Sequence, residues 1–154
     1  MRVLVIEDDP FKAKRILAFL KQQLAIPDVE SERSVSTGLV RLVADPKPDA
    51  LLLDMSLSTY DVGARETGGR PQNFGGIAVL EHMVRRAITI PVAIITQFES
   101  FPRDGRELGL GDLHEELSVK YPSLFRELIY YNSRETQWEE QVEIFLKNIE
   151  EWRT

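Results

Sequence analysis

A doubly wound α/β fold, with a five-stranded parallel sheet covered by helices on both faces, is predicted for this chain from three observations. Short unbroken apolar runs at Arg2-Val3-Leu4-Val5-Ile6, Ala50-Leu51-Leu52-Leu53 and Pro91-Val92-Ala93-Ile94-Ile95 have the pattern of strands buried on both sides. Segments with apolar residues at helical spacing alternate with those runs. Parallel neighbours also need crossover connections, right-handed by the twist of the sheet, and the helical segments are placed to supply them.

Taken in order, the first strand is ended by Glu7-Asp8-Asp9-Pro10. Pro is favoured in a first helical turn and acids there complement the helix dipole, so a helix opens at Pro10 and carries Ala13, Ile16, Leu17, Leu20 and Leu24 on its apolar stripe. Pro27 separates it from a polar strand over Val29 to Arg33, whose composition suits a sheet edge. Ser34 or Ser36 caps the next helix, which carries Leu39, Val40, Leu42 and Val43 and is stopped by Asp45-Pro46-Lys47-Pro48. The central strand then runs from Ala50 and halts on Asp54. An Asp after a strand can equally be a helix cap or a turn residue.

Ser58 to Gly75 is the longest irregular stretch, beyond the ~12–15 residues usual for connections in a domain. It reads either as disordered decoration or as a lid or docking surface. Gly76 to Ala87 forms a helix with Ile77, Val79, Leu80 and Met83, and the strand after it ends on Thr96. A second extended segment, Gln97 to Gly111, lies on the same edge. Gly111-Asp112 begins a helix with Leu113, Leu117 and Tyr121, closed by Pro122. Leu128 to Tyr131 is the fifth strand, and a last helix from about Arg134 places Trp138, Val142, Phe145, Leu146 and Ile149 on one face.

A length of 154 residues fits one domain, spanning 1–154, with a sizeable core. The net charge of −6 argues against a nucleic-acid surface, because phosphate neutralisation needs clustered Lys and Arg. With no cysteine, disulfides, thiolate metal sites and cysteine nucleophiles are excluded together. No apolar stretch approaches the ~18 residues of a membrane span, and the opening strand is unlike a signal peptide, so a cytoplasmic protein without membrane contact is expected.

A flavodoxin-like strand order, 2-1-3-4-5, makes the first, third and fourth strands neighbours. Their carboxyl ends then bring Glu7, Asp8, Asp54 and Thr96 to the switch point where such sheets bind ligands. Clustered carboxylates coexist at neutral pH only if protons or a cation relieve them, and Mg²⁺ is the natural hard cation. An Asp beside Mg²⁺ can attack phosphorus to give an aspartyl phosphate, with the Thr96 hydroxyl on a phosphoryl oxygen.

These residues resemble a response-regulator receiver domain of two-component signalling, over Met1 to about Thr96. The matching pieces are Val3 to Pro10, Leu51 to Asp54, Gly75 to Leu80 and Ile90 to Thr96. The resemblance implies that Glu7 and Asp8 are the acidic pair on Mg²⁺, with Asp54 and the Ser56 carbonyl as further ligands. It also implies that Asp54 accepts the phosphoryl group and Thr96 is the switch hydroxyl. A histidine kinase or phosphotransfer protein would be the donor and an unidentified downstream protein the target. The module would be a stand-alone signalling device rather than an enzyme.

Two departures stand out. The family carries a Lys at the end of its fifth strand, on the phosphoryl group. Lys120-Tyr121-Pro122 imitates that motif, but Lys120 falls in a helical segment with more than thirty residues still to follow. No Lys then occurs between Lys120 and Lys147, and a charge-assisted contact of the ~1.5–3 kcal/mol class is missing. Arg134, Arg65 or Arg70 are the candidates to replace it. The second departure is the Ser58 to Gly75 insertion together with the extended Gln97 to Gly111 segment, both beside the site and both readable as disordered decoration or as a lid or docking surface. The missing Lys and the remodelled last third favour an alternative, a pseudo-receiver that binds partners without phosphorylation.

The aromatic switch position falls on Tyr130 or Tyr131. A Mg²⁺-dependent phosphatase would want a second Asp where Ser56 stands. His82 and His114 read as ordinary helical residues, and the Gly68-Gly69 and Gly75-Gly76 pairs as turn or loop glycines. Trp138 reads as core, and Glu139, Glu140 and Glu143 as a solvated helix face.

Overall fold

The computed structural model describes residues 1–57 and 75–153, with side chains described as far as Ile149. Residues 58–74, which include Arg65, Arg70 and the Gly68-Gly69 pair, lie outside the described residues. Strands β1 (Arg2–Ile6), β2 (Asp28–Glu32), β3 (Ala50–Leu53), β4 (Val92–Thr96) and β7 (Phe125–Tyr130) form one parallel sheet in the order β2-β1-β3-β4-β7. This is the predicted 2-1-3-4-5 arrangement.

Alternation along each strand divides the core between the two faces. Leu4, Ile6, Leu51, Leu53 and Ile94 point to one side, packed with residues of α2 (Val35–Val43), α3 (Gly75–Arg85) and α4 (Leu110–Lys120). Val3, Val5, Leu52, Ala93 and Ile95 point to the other, with residues of α1 (Pro10–Ala18) and α5 (Gln137–Arg153). A fully buried Leu or Ile contributes on the order of 1.5–3 kcal/mol relative to exposure, so these apolar runs carry most of the driving force for the fold.

Local chemistry sets the element ends. Asp9 caps α1 by accepting from the Phe11 and Lys12 N–H groups, and Ser34, rather than Ser36, caps α2 by accepting from the Thr37 N–H. A π-helical turn, Phe19–Gln23, extends α1. Among the described residues the polar β2 pairs only with β1, as an edge strand, as expected.

Two readings need correction. The Gln97 to Gly111 segment is not disordered decoration: Ser100–Arg103 (β5) and Arg106–Gly109 (β6) form an antiparallel hairpin. Asp104 and Gly105 turn it, both at positive φ (50° and 77°). An Asp-Gly pair is the favoured two-residue turn between strands, and that is the signal that marks it. Gly75 and Gly76 are not loop glycines. They open α3, and a β-carbon on Gly76 would lie 2.5 Å from the Asp54 carbonyl oxygen, so only glycine lets this helix approach the end of β3.

Candidate functional site

The sheet ladder delivers the acids to one edge. Beyond β1, the Glu7 N–H donates to the Glu32 carbonyl at 2.9 Å, and beyond β3 the Asp54 N–H donates to the Ile6 carbonyl at 2.9 Å. Glu7 and Asp54 therefore leave neighbouring strands side by side, at 3% and 5% exposure. Asp8 is half-buried, and one carboxylate oxygen from each of Glu7, Asp8 and Asp54 lies within 4.8 Å of the others. Asp9, next in sequence, is occupied as the α1 cap, and its own N–H donates to Glu7 Oε2 at 3.1 Å.

Thr96, the last residue of β4, is fully buried, and its Oγ1 accepts the Phe98 N–H at 3.1 Å. The register Leu53↔Ile94 places Asp54 next to Ile95, with Thr96 one residue further along the same edge. Ser56 is half-buried and its N–H lies 3.4 Å from Asp54 Oδ1. Of the two tyrosines, Tyr131 is buried and Tyr130 is half-buried.

The cation of this site is Lys12, which sequence reasoning missed. Lys12 is 2% exposed, and Nζ donates to Glu7 Oε1 at 2.6 Å, Asp54 Oδ1 at 3.2 Å and the Ile95 carbonyl at 2.8 Å. Of the candidates to replace a strand-end lysine, Arg134 is exposed beyond β7, and Arg65 and Arg70 lie outside the described residues. Lys120 ends α4 and pairs with Glu81 at 3.4 Å, consistent with its rejection as a strand-end lysine. The missed signal lies in helical spacing. Lys12 is four residues before Ile16 and eight before Leu20, on the stripe that faces the sheet, but a lysine there reads as solvated until the helix is docked.

Three carboxylates face one ammonium, so the cluster holds protons tightly. Burial pushes Glu7 up to about 9; the Lys12 charge opposes that shift and the Asp54 carboxylate adds to it. Burial, then the Asp54 charge, pushes Asp8 up to about 6. For Lys12, burial favours the neutral amine, but Asp54 and Glu7 outweigh it and raise its pKa. Hard oxygen donors at this spacing, short of positive charge and reached through half-buried Asp8, fit Mg²⁺. A cleft lined by Asp9, Lys12, Gln97, Phe98, Tyr131 and Asn132 opens beside them.

Comparison with known proteins agrees with this architecture. No protein-family model matches the chain. It is 29% identical over 140 residues to protein y4jR of Sinorhizobium fredii, covering 90% of this chain and 91% of that one. It is 26% identical over 139 residues to the Detocs response regulatory protein DtcB of Enterobacter cloacae, covering 90% and 93%. The receiver domain of Francisella response regulator 1452 shares the fold, with a TM-score of 0.60 at 16% identity over 99% of this chain and 98% of that one.

Proposed function

Starting from a chain that has the fold of a response-regulator receiver domain, we propose that residues 1–154 act as one such unit, accepting a phosphoryl group on Asp54 and relaying it as a change of shape. The observation that carries this reading is the burial of Asp54 at a strand tip within reach of two further acids and one ammonium.

In this reading an Asp54 carboxylate oxygen attacks the phosphorus of a phosphohistidine donor. The P–O bond forms as the P–N bond breaks, and the imidazole leaves with the electron pair and takes up a proton. Mg²⁺, held by Glu7, Asp8, Asp54 and the Ser56 carbonyl, would neutralise charge on the phosphoryl oxygens. The chain's own contribution is placement. The Ile6 carbonyl fixes the Asp54 backbone, the Ser56 N–H and Lys12 Nζ orient Oδ1, and burial excludes water from the acyl phosphate.

The Thr96 hydroxyl is the relay. Its oxygen already accepts the Phe98 N–H while its proton is free to donate, so a shift of the hydroxyl toward a phosphoryl oxygen on Asp54 would strain the bond to Phe98 and loosen the segment leading into the β5–β6 hairpin. The argument for a pseudo-receiver from a missing cation loses its force with Lys12 in the site.

Intact-mass measurement after incubation with acetyl phosphate and Mg²⁺ tests the proposal. A gain of one phosphoryl group that is absent in Asp54→Ala is expected. An unmodified wild-type protein, under conditions that label a known receiver, would refute it.

A further inference from the structure

The contacts of Lys12 support a more specific reading of the same site. Lys12 is the one buried lysine: Lys14, Lys21, Lys47, Lys120 and Lys147 are all exposed. Its ammonium has three protons and three acceptors, supplied by Glu7 after β1, Asp54 after β3 and Ile95 on β4. A buried charge so fully bonded has one position, unlike a surface lysine that samples many rotamers. That position is against the carboxylate oxygen of Asp54.

The end of the last parallel strand is occupied differently. Tyr131 follows β7, donates its N–H to the Thr96 carbonyl at 2.7 Å, and is buried at 5% exposure. Its ring centroid lies 5.7 Å from Lys12 Nζ. An aromatic face here supports a cation that arrives from elsewhere. Trp138 backs the ring at 5.2 Å, and Arg15, one turn after Lys12, donates to the Ser133 carbonyl and ties α1 to the loop beyond Tyr131.

We propose that Lys12, from the first turn of α1, is the cation that binds the phosphoryl group on Asp54, standing in for a lysine at the end of the last strand. This rests on the phosphoacceptor reading above. Lys12 Nζ lies 3.2 Å from Asp54 Oδ1, so a phosphoryl group joined to Asp54 would bring its oxygens beside the ammonium, which could pass a hydrogen bond from the carboxylate to the phosphate without leaving the site. Charge arriving on Asp54 thereby pulls on α1.

Trifluoroberyllate, a phosphoryl mimic, separates this role from simple structural support. Wild type, Lys12→Met and the double variant Lys12→Met/Tyr131→Lys are titrated with Mg²⁺ alone and then with Mg²⁺ plus trifluoroberyllate. Removing the ammonium takes away a competitor for the acids, so Lys12→Met should bind Mg²⁺ at least as tightly as wild type. It should bind trifluoroberyllate roughly tenfold or more weaker, the loss expected for one charge-assisted contact. A lysine returned at 131 should restore part of that affinity.

Undiminished trifluoroberyllate binding in Lys12→Met overturns this inference alone. A wild type that binds neither trifluoroberyllate nor a phosphoryl group overturns the phosphoacceptor reading and this inference with it. Should Lys12→Met fail to fold, ¹⁵N spectra of the wild-type lysine ammonium groups decide the matter. The protected Lys12 signal should shift on adding trifluoroberyllate to the Mg²⁺-loaded protein, and an unmoved signal overturns the assignment.

Discussion

Gly76 presses on the backbone of Asp54: its N–H donates to the Met55 carbonyl at 2.8 Å, and a β-carbon there would meet the Asp54 carbonyl oxygen at 2.5 Å. Helix α3 thus serves as a wall that holds the strand tip at Asp54 in place. Gly76→Ala should destabilise the protein by about 1–3 kcal/mol, the usual cost of forcing extra volume into packed structure. Denaturant unfolding reads this directly. Labelling of Asp54 should also fall further than in Val84→Ala, a control at an exposed position of the same helix. Equal stability and labelling would show that the contact relaxes without consequence.

With the proposed Mg²⁺ ligands in the acid cluster, stability should depend on pH and on Mg²⁺ together. Glu7 titrates near 9 in the folded protein against 4.5 ordinarily, and Asp8 near 6 against 3.8, so both bind protons more tightly folded than unfolded. The stability they contribute is fully present below their ordinary values and is lost as pH rises through the folded ones. Metal-free melting temperature should therefore fall between about pH 5 and pH 9 in wild type, and less so in Glu7→Gln. Mg²⁺ competes with those protons and should raise the melting temperature more near pH 9 than near pH 5. A Mg²⁺ effect independent of pH would count against these groups as its ligands.

Thr96 connects the site to the hairpin through Phe98. Amide exchange over residues 98–109 should quicken when trifluoroberyllate and Mg²⁺ are added to wild type. In Thr96→Ala the same amides should exchange faster from the start and respond little to the mimic. Unchanged exchange in both proteins would place the relay elsewhere, with α1 the first alternative.

Legibility in the sequence followed the range of the interactions involved. The buried strands were readable because a run such as Ala50 to Leu53 has no other stable place than the middle of a sheet. Glu7, Asp54 and the Thr96 hydroxyl are readable because each directly follows such a run, and Asp8 because it follows Glu7. The hairpin was marked by Asp104-Gly105, yet its flanking strands, Ser-Phe-Pro-Arg and Arg-Glu-Leu-Gly, are too polar to stand out by alternation. The glycines at 75 and 76 look like any loop pair until the backbone they touch is known.

The order of the elements, the edge at which Glu7, Asp8, Asp54 and Thr96 emerge, and the shortage of positive charge there were all determined by the chain itself, since they depend on local apolar pattern and strand pairing. The source of the compensating cation was decided only by the packed molecule. Lys12 reaches Asp54 across 42 positions and Ile95 across 83, and which way a helix turns its third residue is settled when its apolar stripe docks on the sheet. A lysine on that stripe then has its charge carried inward by the helix, onto acids that need it.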